Sequence, residues 1–291
     1  MNTDFKSIIN LLQDNIKFFF KCTLIAAFIG FIYLLFITPK YDVSVIVSEN
    51  DEEARVGLDS GGIVSSLVGG SSKKRQFINE FNETIFSLDV TKRLDEDKDL
   101  LFTIFKDFYN EETASYNQIV NLDSILKKVK FWFYGVNYQL IPNHFLLRDY
   151  LQGNISVVYD EYSGLITVSS LSSQPFLAQE IIRDLLKETD NAFKELDRSE
   201  TDAKIEYLYS EISKNKEINQ IAAISNILQN ELLKKSLINS RADYKFKTVR
   251  GLEMSEYPVY PNFMFILMLF IFFGLFGSIA YKLFLFVLKD F

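Results

Sequence analysis

The chain has 291 residues, 48% of them hydrophobic and 24% charged, with a formal net charge of −7, one His and one Cys. That length supports one sizeable core or two small ones. The acidic balance argues against a nucleic acid partner, because phosphate neutralisation needs clustered Lys and Arg, and one His with one Cys excludes both an intrachain disulfide and a His/Cys metal site.

From Phe18 to Ile37 only Lys21 is charged, and ~20 residues rising ~1.5 Å each reach ~30 Å, the thickness of a bilayer core. Lys21 lies near one end, where it can snorkel. Phe36-Ile37-Thr38-Pro39-Lys40 offers no small-x-small cleavage site, so the segment reads as an uncleaved anchor and not a signal peptide.

Beyond Pro39, Tyr41, Val43, Val45 and Val47 alternate with more polar neighbours, which predicts a half-buried strand over 41–48. Glycines and serines then accumulate from Asp51 to Ser72, predicting a mobile loop with one short helix. Gly69-Gly70-Ser71-Ser72-Lys73 lacks the Gly-Lys-Ser/Thr order of a phosphate loop and follows no clear strand. The one basic triplet, Lys73-Lys74-Arg75, reads as a solvated turn.

Phe77, Phe81, Ile85 and Leu88 fall at helical spacing, and a second run passes through Leu100, Ile104 and Phe108. A further helical piece is expected near Ile119 to Phe133, whereas the aromatic stretch from Trp132 to Tyr150 fits no single pattern. The lone His144 has no recognisable nucleophile or carboxylate partner in sequence and reads as structural.

Residues 155–159 and 165–169 alternate on either side of Asp160-Glu161-Tyr162-Ser163-Gly164, which predicts a β-hairpin. Gln174-Pro175 opens a long helical region, with Ala178, Ile181, Leu185 and Leu186 on one side. Helical character persists to about Asp243. An interruption is expected at Asp197-Arg198-Ser199, and the polar run Ser213 to Glu217 also breaks the apolar stripe. Tyr244 to Val249 is expected to return as a strand beside Tyr41 to Ser48.

Pro258-x-x-Pro261 fixes two φ angles and withholds two N–H groups, giving a stiff extended joint. Phe263 to Tyr281 then runs for 19 residues without charge, a second membrane span. In it Gly274, Gly277 and Ser278 gather on one turn, with Gly274 and Ser278 in small-xxx-small spacing that lets another helix approach. The flanks carry Lys6, Lys17, Lys21, Lys282 and Lys289 against Asp4, Asp14 and Asp290, leaving 26 basic and 35 acidic residues between the spans. Positive flanks place both termini in the cytoplasm and the acidic domain outside.

Taken in order, these features resemble the polysaccharide co-polymerases, specifically the Wzz-type chain-length determinants of bacterial surface polysaccharides. The resemblance covers the N-terminal anchor, the Pro39-Lys40-Tyr41 exit into a strand, the Gly/Ser-rich loop over 61–72, and the Asp160 to Ser169 turn and strand. It continues through Gln174-Pro175-x-x-Ala178, the long helix, and Pro258-x-x-Pro261 before a glycine-bearing final span. Pro258 and Pro261 match the family's proline-rich joint, and Gly274 and Gly277 its final span. Asn262-Phe263 stands where further Pro, Ser and Lys often follow in the family.

The resemblance implies an α+β membrane protein of the bacterial inner membrane. Its organisation would be a cytoplasmic N-terminus at 1–17, transmembrane helices at 18–37 and 263–281, a periplasmic domain at 38–262 and a cytoplasmic tail at 282–291. That domain would have a membrane-proximal α/β base and a long helical extension. The resemblance further implies a ring-like homo-oligomer that is no enzyme and holds no cofactor, and that acts with a Wzy-type polymerase to set the length of O-antigen or a related glycan. The growing lipid-linked glycan is a further candidate partner. Ten residues beyond Tyr281 leave no room for the tyrosine kinase fused to some relatives. Three other readings remain open: a capsule-export component of the same superfamily, a two-anchor periplasmic sensor, and a membrane-bound hydrolase with paired carboxylates.

Overall fold

The computed structural model describes residues 13, 15–50, 76–120, 122–135, 137, 139–214, 217–240 and 243–289. The expected Gly/Ser-rich loop from Asp51 to Ser72 and the basic triplet after it lie outside these residues. The chain divides into two compact units, one built from 1–42, 172–175 and 255–291, the other from 43–171 and 176–254.

In the first unit, helix α1 spans Ile16–Phe36 and the last helix, α9, spans Phe263–Lys289. Both are long and apolar enough to cross a membrane. α1 stops ahead of Thr38-Pro39, with Ile37 already extended, and Pro39 disfavours helical backbone at Thr38. α9 continues past Tyr281, so Lys282 is helical, and its Nζ lies 4.6 Å from the ring centroid of Phe18 at the start of α1.

The second unit is built on a four-stranded sheet in the order β4-β5-β1-β6. β1 is Tyr41–Glu49, β4 is Ile155–Asp160, β5 is Leu165–Ser172 and β6 is Phe246–Met254. Strand alternation sends Val43, Val45 and Val47 of β1 to one buried face, where they meet the buried Ile166 and Val168 of β5 in a common core. β4 and β5 pair antiparallel from Ile155↔Ser170 to Asp160↔Leu165. Gly164 closes their turn at φ 71°, and its N–H donates to the Asp160 carbonyl at 2.8 Å. β6 pairs antiparallel with β1, Glu49↔Phe246 to Val43↔Met254, with register shifts around Ile46. Its exposed Lys247, Arg250 and Glu253 suit an edge strand, where charge discourages further pairing.

Helix α2 (76–85) places Phe77, Phe81 and Ile85 in the same core. α3 (Leu88–Lys98) begins where the Ser87 hydroxyl accepts the Val90 N–H at 3.2 Å, and ends at Asp99 in the left-handed region. α4 (Leu100–Phe105) follows, so Phe108 sits in a 3₁₀ turn and not on the expected helix. A small hairpin joins β2 (Tyr109–Asn110) to β3 (Ser115–Tyr116). α5 covers Leu122–Trp132. The aromatic stretch resolves into a further helix, α6 (His144–Asn154), capped by Asn143, whose side chain accepts the Leu146 N–H at 3.0 Å.

Helix α7 runs unbroken through Pro175–Lys214, 40 residues, or ~60 Å at ~1.5 Å each. The expected interruption at Asp197-Arg198-Ser199 does not occur. Asp197, which reads locally as a turn former, is buried and bonded to residues far along the chain, which holds it in the helix. The break instead follows Lys214, and α8 (Ile218–Ser240) returns antiparallel. Lys235 Nζ lies 2.7 Å from Asp202 Oδ1, Arg198 donates to Asn239 at 2.9 Å, and Ile205 and Leu208 pack on Leu228. The protein is thus a mixed α and β molecule with a membrane-length helix towards each end and a long helical region.

Candidate functional site: the joint before the last helix

The proline-bearing segment before α9 belongs to the first unit together with the exit from α1. Lys40 and Tyr260 form an antiparallel bridge: Lys40 N–H donates to the Tyr260 carbonyl at 2.8 Å, and Tyr260 N–H donates back at 3.2 Å. Val259 N–H shares the Lys40 carbonyl at 2.9 Å. Two residues on, Ser255 N–H donates to the Asp42 carbonyl at 2.8 Å and the Ser255 hydroxyl accepts the Asp42 N–H at 3.0 Å. Pro39 and Pro261 flank this ladder, Pro258 lies within it between Ser255 and Val259, Tyr41 continues it into β1, and the Tyr260–Pro261 peptide is cis. None of the three prolines has an N–H to leave unsatisfied.

Asn262, where sequence reading finds only a departure from a proline-rich pattern, starts the last helix. Its side chain accepts the Phe265 N–H at 3.2 Å and its carbonyl the Ile266 N–H at 3.1 Å. The Asn at the head of an apolar run is the signal that sequence analysis passes over.

Along the paired helices two glycines make close approaches. A Cβ on Gly274 would lie 2.5 Å from the Ala26 Cβ and 3.2 Å from the Thr23 Cα. A Cβ on Gly30, which sequence analysis does not single out, would lie 2.8 Å from Phe270 Cγ. Gly277 faces differently, since a Cβ there meets nothing within 4 Å. Ser278 is buried, and its hydroxyl donates to the Leu275 carbonyl of its own helix at 2.8 Å.

A glycan hydrolase needs a pair of carboxylates free to act on substrate. Three acidic side chains of α7 are buried: Glu188, Asp190 and Asp197. Asp190 accepts the backbone N–H groups of Tyr244 at 3.1 Å and Lys245 at 2.8 Å, and pairs with Lys194 at 2.8 Å. Asp197 accepts the Tyr244 hydroxyl and Lys245 Nζ, both at 3.0 Å. Glu188 takes Lys187 Nζ at 3.3 Å and the Asn191 amide. Asp190 and Asp197 tether the segment leading into β6 to the long helix, and Glu188 is engaged by neighbours on its own helix.

His144 is likewise structural in its contacts. Its Nε2 lies 3.0 Å from Asp95 Oδ2, while Asp95 Oδ1 accepts the Leu101 N–H at 2.7 Å, linking the starts of α6 and α4. Among the described residues no group of three or more His, Cys, Asp and Glu side chains is placed to hold a metal.

The family model described as "Wzz: Chain length determinant protein" matches residues 1–97. Among solved structures, a "full-length bacterial polysaccharide co-polymerase" aligns over 99% of this chain and 99% of its own, with 12% identity and a TM-score of 0.39. A fragment of WzzB, a polysaccharide co-polymerase from Salmonella Typhimurium, aligns over 76% of this chain and 97% of its own, with 12% identity and a TM-score of 0.28. No curated protein matches.

Proposed function

We propose, from the match of residues 1–97 to the chain length determinant model, that this chain sets the modal length of O-antigen or a related surface polysaccharide made by a Wzy-type polymerase. It does so as a non-catalytic scaffold in the bacterial inner membrane. Both termini face the cytoplasm and the residues between the spans form a periplasmic domain.

The observation that carries the reading is the pairing of Lys40 with Tyr260, which ties the exit of one membrane-length helix to the entry of the other in a chain with that N-terminal match. A scaffold must transmit the geometry of its membrane part to its external part. A short ladder bounded by Pro39 and Pro261, with Pro258 inside it, leaves that connection few soft dihedrals. The engagement of the buried α7 carboxylates in structural bonds favours a scaffold over a glycan hydrolase. The working unit is a ring-like homo-oligomer that contacts the polymerase, with the growing lipid-linked glycan within its reach. Cofactors have no part in it.

Deleting the gene and resolving the surface polysaccharide on a silver-stained gel tests this. Loss of a modal cluster of bands, restored by the wild-type gene, is the expected result, and a Pro258→Ala, Pro261→Ala double variant should restore it incompletely. An unchanged ladder for every envelope glycan would return the protein to the sensor or export readings.

A further inference from the structure

Helix α5 turns an apolar stripe outward. At ~100° per residue, Ile125, Leu126, Val129 and Trp132 share an arc of about 120°, and a surface helix ordinarily turns such a stripe to the core. Here those four side chains are 47%, 61%, 52% and 72% exposed, while Ser124, on the opposite side, is 4% exposed. Phe133 and Tyr134 extend the exposed apolar patch beyond the helix end. A contiguous exposed patch of large apolar side chains marks a contact surface.

Charge and residue type favour lipid as the occupant. Lys128 and Lys130 lie on either side of the apolar arc, Lys127 lies behind it, and all three are exposed, so α5 is a basic segment on an acidic chain. Lysines beside an apolar stripe, with Trp and Tyr at its end, are the composition of helices lying in the headgroup region of anionic bilayers. The core of a protein–protein interface, by contrast, is depleted in Lys. A chain anchored by two spans meets a bilayer surface as an intramolecular event, which raises the occupancy of a weak site.

We propose that α5, with Phe133 and Tyr134, lies in the headgroup boundary of a bilayer containing anionic lipid, as a third membrane contact besides the two spans. The proposal rests on the two-span reading.

Trp132 is the only tryptophan of the chain, so its emission reports this site alone. The full-length protein would be reconstituted into vesicles of phosphatidylcholine and phosphatidylglycerol, with and without bromine-labelled acyl chains. Alkaline extraction would confirm that the spans are inserted. The expected result is a blue-shifted emission that brominated lipid lowers roughly twofold, as suits a side chain seated ~5–10 Å into the boundary. Most of that quenching should be lost in Leu126→Glu, Val129→Glu and in Lys128→Glu, Lys130→Glu, both retaining wild-type far-ultraviolet dichroism. Emission insensitive to brominated lipid but shielded from aqueous acrylamide would mean that protein, such as a second copy, covers the face, and would overturn the proposal. Emission open to acrylamide and insensitive to brominated lipid would overturn it in favour of solvent. Release of the chain by alkaline extraction would instead remove the two-span reading on which it rests.

Discussion

Gly274 of α9 lies against Ala26 of α1 so closely that a methyl group on it would come within 2.5 Å of the Ala26 Cβ. With the Thr23 backbone 3.2 Å away, the helix cannot yield by moving one flexible side chain. Gly274→Val should therefore push the helices apart, at about 1–3 kcal/mol for overpacking, whereas Gly277→Val, with open space around it, should stay within about 0.5 kcal/mol. Thermal unfolding of the two full-length variants in detergent checks this. Equal melting temperatures would contradict the packing described.

The bridge between Lys40 and Tyr260 predicts a cross-link. Residues exchanging both hydrogen bonds of an antiparallel pair have Cα atoms ~5.5 Å apart, inside the range a disulfide spans. In a Cys22→Ser background, Lys40→Cys with Tyr260→Cys should oxidise readily to an intrachain bond, seen as a faster band on a non-reducing gel. Lys40→Cys with Tyr257→Cys, three residues off register, should not.

Asp190 is the most heavily used carboxylate of α7, holding two backbone N–H groups and Lys194. Asp190→Ala would leave the half-buried Lys194 and two buried donors without it, and breaking such a pair costs about 3–5 kcal/mol. Asp160→Asn changes an exposed turn carboxylate, which the Ser163 hydroxyl and Tyr162 N–H hold below the usual acid range, and should cost far less. Urea unfolding followed by far-ultraviolet dichroism separates the two, and a smaller loss for Asp190→Ala than for Asp160→Asn would refute the tether.

What the sequence revealed of this fold divides by range. The β1 strand, the 155–169 hairpin and the Pro175 helix start each rest on local alternation, a turn glycine or a fixed φ, and each is present in the structure, with the second hairpin strand running on to Ser172. The β1–β6 pairing was also legible, although β6 runs five residues past Val249 to Met254. The continuity of α7 through Asp197 was not, because its reason is a tyrosine hydroxyl and a lysine 47 and 48 positions away. α6 was hidden by aromatic crowding that masked the Asn143 cap. At the joint, Pro39, Tyr41, Pro258 and Pro261 were each visible as chain features, but the Lys40–Tyr260 pairing joins positions that no local pattern connects. Gly30 stands in small-xxx-small spacing with Ala26, a signal in the first span that sequence reading passes over, and the close approach of Phe270 shows what it makes room for.

The final prediction concerns acid. Arg93 of α3 reaches across to α7 and grips both oxygens of Glu195, at 2.7 Å for the first, while its Nε donates to Asp89 at 2.9 Å. The bidentate guanidinium holds the Glu195 carboxyl below the usual range, and Glu195 in turn raises the Arg93 guanidinium. A carboxyl depressed in the folded state stabilises it above the unfolded value of ~4.3, and that contribution is lost as pH falls through the lower folded value. The pair is half-exposed and screened, so it contributes under about 1 kcal/mol. Glu195→Gln should therefore melt slightly below wild type at neutral pH, and the gap should close as pH falls through the acid range and shrink as salt is raised. A gap that widened on acidification would mean that Glu195 is not held by Arg93 in the folded protein.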